Sequence, residues 1–185
     1  RNRGTMASKE HHSEPRRRDE LATLQRPALL LDLEVSHDGR ILKVGAVLGD
    51  ESLSCAGAAV TTSAWKELAR FSGAASCVLG HNLVRHDLAV LKESIPQHPL
   101  LRLPVIDTLV LSPLAFPENP YHRLVKDYKL VRESVNDPVA DARQAAALFA
   151  DEFRSFEGAR QTEPGLFELL RFLLTTPEGE NDTLA

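Results

Sequence analysis

The sequence predicts an α/β domain: a mixed five-stranded sheet with helices on both faces. Three observations predict it. Three strand-like runs stand in succession near the start, "ALLLDLEV" (28–35), "ILKVGAVLG" (41–49) and "LSCAGAAV" (53–60). Two further short apolar runs, "SCVLG" (76–80) and "LPVID" (103–107), alternate with helical patterns. The rest of the chain is mainly helical in pattern. An antiparallel opening followed by strand–helix alternation gives a sheet of mixed sense that needs cover on both sides.

Each element has a local reason. The turn "HDGR" carries Asp38-Gly39 between apolar runs, a good hairpin signal. "SAWKELARF" (63–71) has helical spacing, with Thr62 or Ser63 as the expected N-cap. "SCVLG" ends at Gly80-His81-Asn82, a turn before the next helix. That helix, "LVRHDLAVLKES" (83–94), sets Leu83, Asp87, Val90 and Leu91 on roughly one face. "LPVID" runs into "TLVLSPLAF", the cluster "PENP" breaks the chain, and "YHRLVKDYKL" resumes a helical pattern. Asp137-Pro138 opens a long helix as cap and first helical residue, continuing through "VADARQAAALFADEFRSF". "GLFELLRFLLT" (165–175) is a last amphipathic helix. Trp65, Phe71, Phe149 and Phe153 are core candidates by spacing. Tyr121 is read as core, with stacking on a base as the alternative for it and His122.

Composition bounds the function. With 43% hydrophobic and 26% charged residues the chain suits one soluble, largely monomeric domain with tails. Residues 1–18 are polar and aperiodic and read as a disordered arm, whose opening "RNRGTMA" looks like expression-vector sequence. Within it, Arg16 to Arg18 read as a solvated charge run, with phosphate contact as the alternative. The domain spans 19–175, and 176–185 is a polar tail. A net charge of -4 gives no overall attraction to nucleic acid, so such binding needs a local basic patch. No apolar run approaches the roughly 18 residues of a membrane span, and no leader precedes the domain. Cys55 and Cys77 lie in no metal-type cluster and suit a cytoplasmic location. His81 and His86, five apart, are poorly spaced for zinc.

The acids are where the pattern departs from an ordinary core. In "LLLDLEV" a strand would turn Asp32 and Glu34 to the same face, about 7 Å apart along the chain, and Leu29, Leu31, Leu33 and Val35 to the other. Like charges on a buried face repel and lose hydration, so a cation is expected beside them. Asp87 falls among the apolar positions of its helix. Asp141 lies in the first turns of the long helix on a face shared with Ala145 and Leu148. Each acid has a structural reading of its own, such as a helix-dipole partner for Asp141 or an arginine pair for Asp87. Four in this order form a pattern that single readings do not explain.

That order resembles the DEDD (DnaQ-like) 3′–5′ exonuclease superfamily, whose fold is ribonuclease-H-like. "LLLDLEVSHDGRILKVGAV" is similar to its first motif, "VLGHNLVRHDLAVL" to its second, and "NDPVADARQAAALF" to its third; "VIDTLVL" resembles the step between the last two. The resemblance covers roughly residues 27–153. It implies that Asp32, Glu34, Asp87 and Asp141 hold two Mg²⁺ or Mn²⁺ ions about 4 Å apart. It also implies cleavage of phosphodiesters from a nucleic-acid 3′ end, expected to be single-stranded. "PENPYHRLVKDYKL" followed by "NDPVADA" is similar to exonuclease-like domains that precede RecQ-type helicase modules, which implies a covalently linked helicase partner.

One position departs from the family. Its histidine branch carries a general base five residues before the last acid, and Asn136 stands there. The tyrosine branch uses the next position, here Asp137. Asparagine can orient a water but cannot take its proton. Asp137, His86 and His122 are the alternative bases, although helical neighbours such as His86 and Asp87 should diverge by about 100°. The competing reading is a catalytically silent domain of the same fold that binds nucleic acid or a partner.

Asn136→His is therefore expected to raise metal-dependent hydrolysis, by up to about 10²-fold. The gain should appear above the imidazole pKa, about 6.5 when unperturbed, where the ring is neutral and accepts a proton. Initial rates on a labelled single strand across pH 5–9 check this.

Overall fold

The computed structural model describes residues 27–57, 60, 62–122 and 137–174. Its centre is β1 (Ala28–Val35), whose side chains divide between two cores as strand alternation requires. Leu29, Leu31 and Leu33 enter one core with Val44, Leu68 and Leu91. Ala28 and Leu30 enter the other, with Val47, Leu79, Val139 and Ala142. The positions that would continue this second face are Asp32 and Glu34. The apolar surface stops there.

β2 (Ile41–Leu48) pairs antiparallel with β1 through the expected hairpin, and Gly39 takes the positive φ of 79° that the turn needs. Ser36 N–H donates to the Arg40 carbonyl at 2.8 Å and closes it. β3 (Glu51–Ala56) continues the meander, ending earlier than the sequence pattern suggested. β4 (Cys77–Gly80) lies parallel to β1 on its other side, and β5 (Val105–Asp107) lies parallel to β4. The sheet order is β3-β2-β1-β4-β5, a mixed five-stranded sheet consistent with a ribonuclease-H-like fold.

Helices cover both faces. α1 (Thr62–Phe71) buries Leu68 against the first core, with Trp65 and Phe71 packed at its margin. Thr62 and Ser63 both lie inside α1, so neither is the flanking cap that the sequence suggested. The next helix divides into a π-helical turn at Leu83–Asp87 and a short α2 (Leu88–Ser94). Its inward residues are Leu83, Asp87 and Leu91, as the spacing required. α3 (Thr108–Ala115) follows β5 directly. α4 (Pro138–Thr162) covers the second face with Val139, Ala142, Ala145 and Ala146, and is longer than the sequence pattern implied. α5 (Pro164–Leu174) follows after one residue. Phe149 packs at the margin of the second core, with the Phe153 ring tilted against it at 6.2 Å. Tyr121 is 77% exposed, which corrects its reading as a core residue: residues 117–120 before it are exposed as well. The arm 1–18, the tail 176–185, Asn136 and most of "YHRLVKDYKL" lie outside the described residues. Among the described residues no helix is long and apolar enough to cross a membrane.

Small residues set the distance between α4 and the sheet. Gly45 of β2 lies opposite Asp32, and a Cβ there would stand 2.4 Å from the Pro138 carbonyl carbon and 2.5 Å from Val139 N. The start of α4 therefore rests directly on the strand backbone. Gly158, by contrast, has nothing within 4 Å of the same construction. Two alanine substitutions should move stability in opposite directions. Gly45→Ala must displace backbone and should cost about 1–3 kcal/mol. Gly158→Ala gains helix propensity in open space and should add up to about 1 kcal/mol. Urea unfolding midpoints of the two variants check both signs.

Candidate functional site

Two elements bring three carboxylates together. Asp32 and Glu34 leave β1 on the face where α4 begins, and Asp141 lies in the first turn of α4. Asp137 caps that helix: its Oδ1 accepts from Val139 N–H at 3.0 Å, and its carbonyl accepts from Asp141 N–H at 2.9 Å. Cap, proline and the glycine contact together fix where Asp141 stands. One oxygen from each of Asp32, Glu34 and Asp141 lies within 4.8 Å of the others, and all three residues are half-buried. Lys43 stands directly opposite Glu34 in the β1–β2 register, so it shares the same face. Three carboxylates make up the group. Their hard oxygen donors, from three separate positions, fit a divalent cation of the Mg²⁺ or Mn²⁺ type.

Asp87 is placed differently. It is 2% exposed, and its Oδ1 accepts from the N–H of Leu33 at 2.6 Å, between the two acids of β1. It is thus tied to the backbone of the strand and does not join the three-oxygen group. Desolvation pushes its carboxyl up to about 7, against the opposing pull of the Leu33 N–H, while Asp107 and Glu34 add to the rise. His86 comes within reach of it, with Nδ1 3.5 Å from Asp87 Oδ2 and the ring half-exposed. Helical periodicity set these neighbours apart by about 100°, yet the two side chains come within 3.5 Å. His122 Nδ1 is buried and lacks a hydrogen-bond partner. Asp137 serves as a cap, as described above.

A scan of the chain against protein-family models gives no match, and comparison with curated proteins gives none either.

A fifth acid organises the neighbouring turn. Asp107, at the end of β5, accepts from Asn82 N–H at 2.8 Å, Val84 N–H at 3.0 Å and Leu109 N–H at 3.0 Å. It caps α3 and holds the loop that delivers Asp87. Asn82 takes a left-handed conformation, φ 61°, which asparagine tolerates better than most residues. His81 Nδ1 lies 2.8 Å from Thr108 Oγ1, and burial lowers its pKa. His81 and Asn82 therefore shape this turn, in keeping with their sequence reading.

Sequence reasoning passed over Glu152, which is fully buried on α4 with neither carboxylate oxygen hydrogen-bonded. The signal was present, since Glu152 continues the apolar stripe of Ala145 and Phe149 at helical spacing. Desolvation drives its pKa to about 8; the Ser112 hydroxyl lies near enough to oppose this, but not in hydrogen-bonding geometry. That value lies above the ordinary 4.5, so the folded chain holds the proton more tightly than the unfolded one. The resulting stability is complete below about pH 4.5 and is lost as pH rises toward 8. Glu152→Gln removes this titration. Its stability advantage over the wild type should be larger at pH 9 than at pH 5, as read from urea midpoints at the two pH values.

Proposed function

We propose that this domain is a DEDD-type 3′–5′ exonuclease, hydrolysing phosphodiesters at nucleic-acid 3′ ends with two divalent ions. The observation that carries the reading is the convergence of Asp32, Glu34 and Asp141 within 4.8 Å, from a strand and a helix more than a hundred residues apart. Asp32, Glu34 and Asp141 would hold the metal, with Asp87 beside them on the Leu33 backbone. When bound, such ions supply Lewis-acid stabilisation of phosphoryl charge and a more acidic attacking water.

The chain's own residues do the rest. Asp87, through Leu33 N–H, holds the β1 segment that presents both strand acids. The α4 cap and the Gly45 contact hold Asp141 at its place. Lys43 puts positive charge on the same face, where a phosphate would be attracted. Asn136, at the family's base position in the sequence, could hydrogen-bond a water but could not accept its proton. A linked helicase module would supply single-stranded ends.

A second reading has specific support: Asn136 occupies the position of the family's base, and the Asp137 carboxylate is engaged as a cap. A domain lacking the base could bind a strand without cutting it. One experiment separates the two. The chain is incubated with Mn²⁺ and a 5′-labelled single strand, DNA and RNA in turn. A descending ladder, reduced at least about 10²-fold by Asp141→Asn, is the expected outcome for the enzyme. An intact strand retained by the protein supports the silent module, and no binding at all overturns the enzyme and leaves the silent reading only a partner other than nucleic acid. In parallel, metal at 100 times its Kd should stabilise the wild type by about 2.7 kcal/mol. Asp32→Ala should lose most of this gain in thermal melts with and without chelator.

A further inference from the structure

β4 pairs with β1 as far as Leu30 and Leu79, and further along that edge Asp87 takes over: its Oδ1 accepts from Leu33 N–H at 2.6 Å. Asp87 ends the π-helical turn Leu83–Asp87, which closes through a bond from Leu88 N–H to the Leu83 carbonyl. The first N–H groups of such a turn have no acceptor inside it. Asp107 supplies one from another strand. Its Oδ2 accepts from Val84 N–H at 3.0 Å, while its Oδ1 accepts from Asn82 N–H at 2.8 Å and Leu109 N–H at 3.0 Å. Asp107 is only 6% exposed, so water competes little for these donors. Its neighbour Thr108, fully buried, donates from Oγ1 to the Gly80 carbonyl at 3.3 Å. Two adjacent side chains thus grip the connection between β4 and Asp87.

We propose that Asp107 is a positioning residue for the acid site: by holding Val84 N–H it fixes the start of the turn that sets Asp87 against β1 at Leu33, between Asp32 and Glu34. Its two oxygens have separate duties. Oδ1 caps α3 and holds Asn82, whereas Oδ2 holds the π-turn. Asparagine at this position separates them, because an amide has one acceptor oxygen. That oxygen stays with the Asn82 and Leu109 N–H groups, since the opposite placement sets the amide NH2 against two donors. The NH2 then faces Val84 N–H, donor against donor. The cap on α3 survives and the hold on the turn is lost. Serine, with its single oxygen, likewise keeps a cap and gives up Val84. A part for Asp107 in hydrolysis rests on the function proposed above; its placement of Asp87 does not.

Two measurements on the full chain test this: residue-resolved amide hydrogen exchange without metal, and hydrolysis of a labelled single strand with Mn²⁺. Asp107→Asn and Asp107→Ser should each speed exchange at Leu33 N–H about tenfold or more. Ala46, central in β2 with a strand paired on each side, should exchange as in the wild type and so reports on overall unfolding. A residue that merely stabilised the fold would speed both alike. In hydrolysis, kcat should fall about 10–10²-fold, with KM for the strand changed less than about twofold, since the acids are displaced and the strand's own contacts are not. Unchanged exchange at Leu33, or a rise shared equally by Ala46, overturns the proposal. A wild type that cuts, with both variants matching its kcat, overturns the part of Asp107 in hydrolysis. A wild type that cuts nothing overturns the function proposed above, and the Leu33 amide then decides the placement of Asp87 by itself.

Discussion

The contact between the start of α4 and the bare backbone of Gly45 governs the geometry of the rest. Gly45 is the cross-strand neighbour of Asp32, and any side chain there would meet Pro138 and Val139 backbone below 3 Å. With no side chain in the way, the first turn of α4 settles beside the acids of β1. Asp137 and Pro138 fix the helix origin, and Asp141 follows one turn later. Small residues along the same face, Ala142, Ala145 and Ala146, keep the helix close to the sheet. Packing on this side is therefore tight enough to hold like charges together, with the burial of Val139 and its neighbours offsetting their repulsion.

The other side of the site depends on backbone donors. Asp107 accepts three N–H groups and so fixes the turn from Asn82 to Val84. That turn leads into the π-helical segment that ends at Asp87, whose carboxylate accepts from Leu33. Two buried acids differ in their donors. Asp87, with one strand N–H on its carboxylate, is pushed up to about 7, and Glu152, with no hydrogen bond, to about 8. Burial raises both, and the backbone donor opposes the rise in only one of them.

Much of this was legible in the sequence because it rests on short-range pattern. Alternation in "LLLDLEV" assigned Asp32 and Glu34 to one face, and Leu29, Leu31 and Leu33 to the other. Asp38-Gly39 marked the hairpin, and Asp137-Pro138 marked the start of α4. The rest depends on contacts between distant segments. Nothing local in "KVGAV" announces that a helix start nearly a hundred residues later lies on Gly45. The π-turn at Leu83–Asp87 departs from the regular α-helical period on which the sequence argument relied. Glu152 is a different case. Its spacing was readable, and a charged residue on an apolar stripe carries the same signal that singled out Asp87.

The charge gathered at the site bears on the metal proposed for it. Asp32, Glu34 and Asp141 bring three formal negative charges within 4.8 Å. Lys43, opposite Glu34, places a positive charge on the same face, and Asp137 takes the Val139 and Asp141 N–H groups at the start of α4. A divalent cation, if bound as proposed, would lower the repulsion among these carboxylates and take their oxygens as ligands. Because Asp141 follows one turn after the contact of α4 with Gly45, affinity for the proposed cation and helix seating would be linked. Whatever loosens that seat should also weaken the cation, and bound cation should in turn hold the helix down.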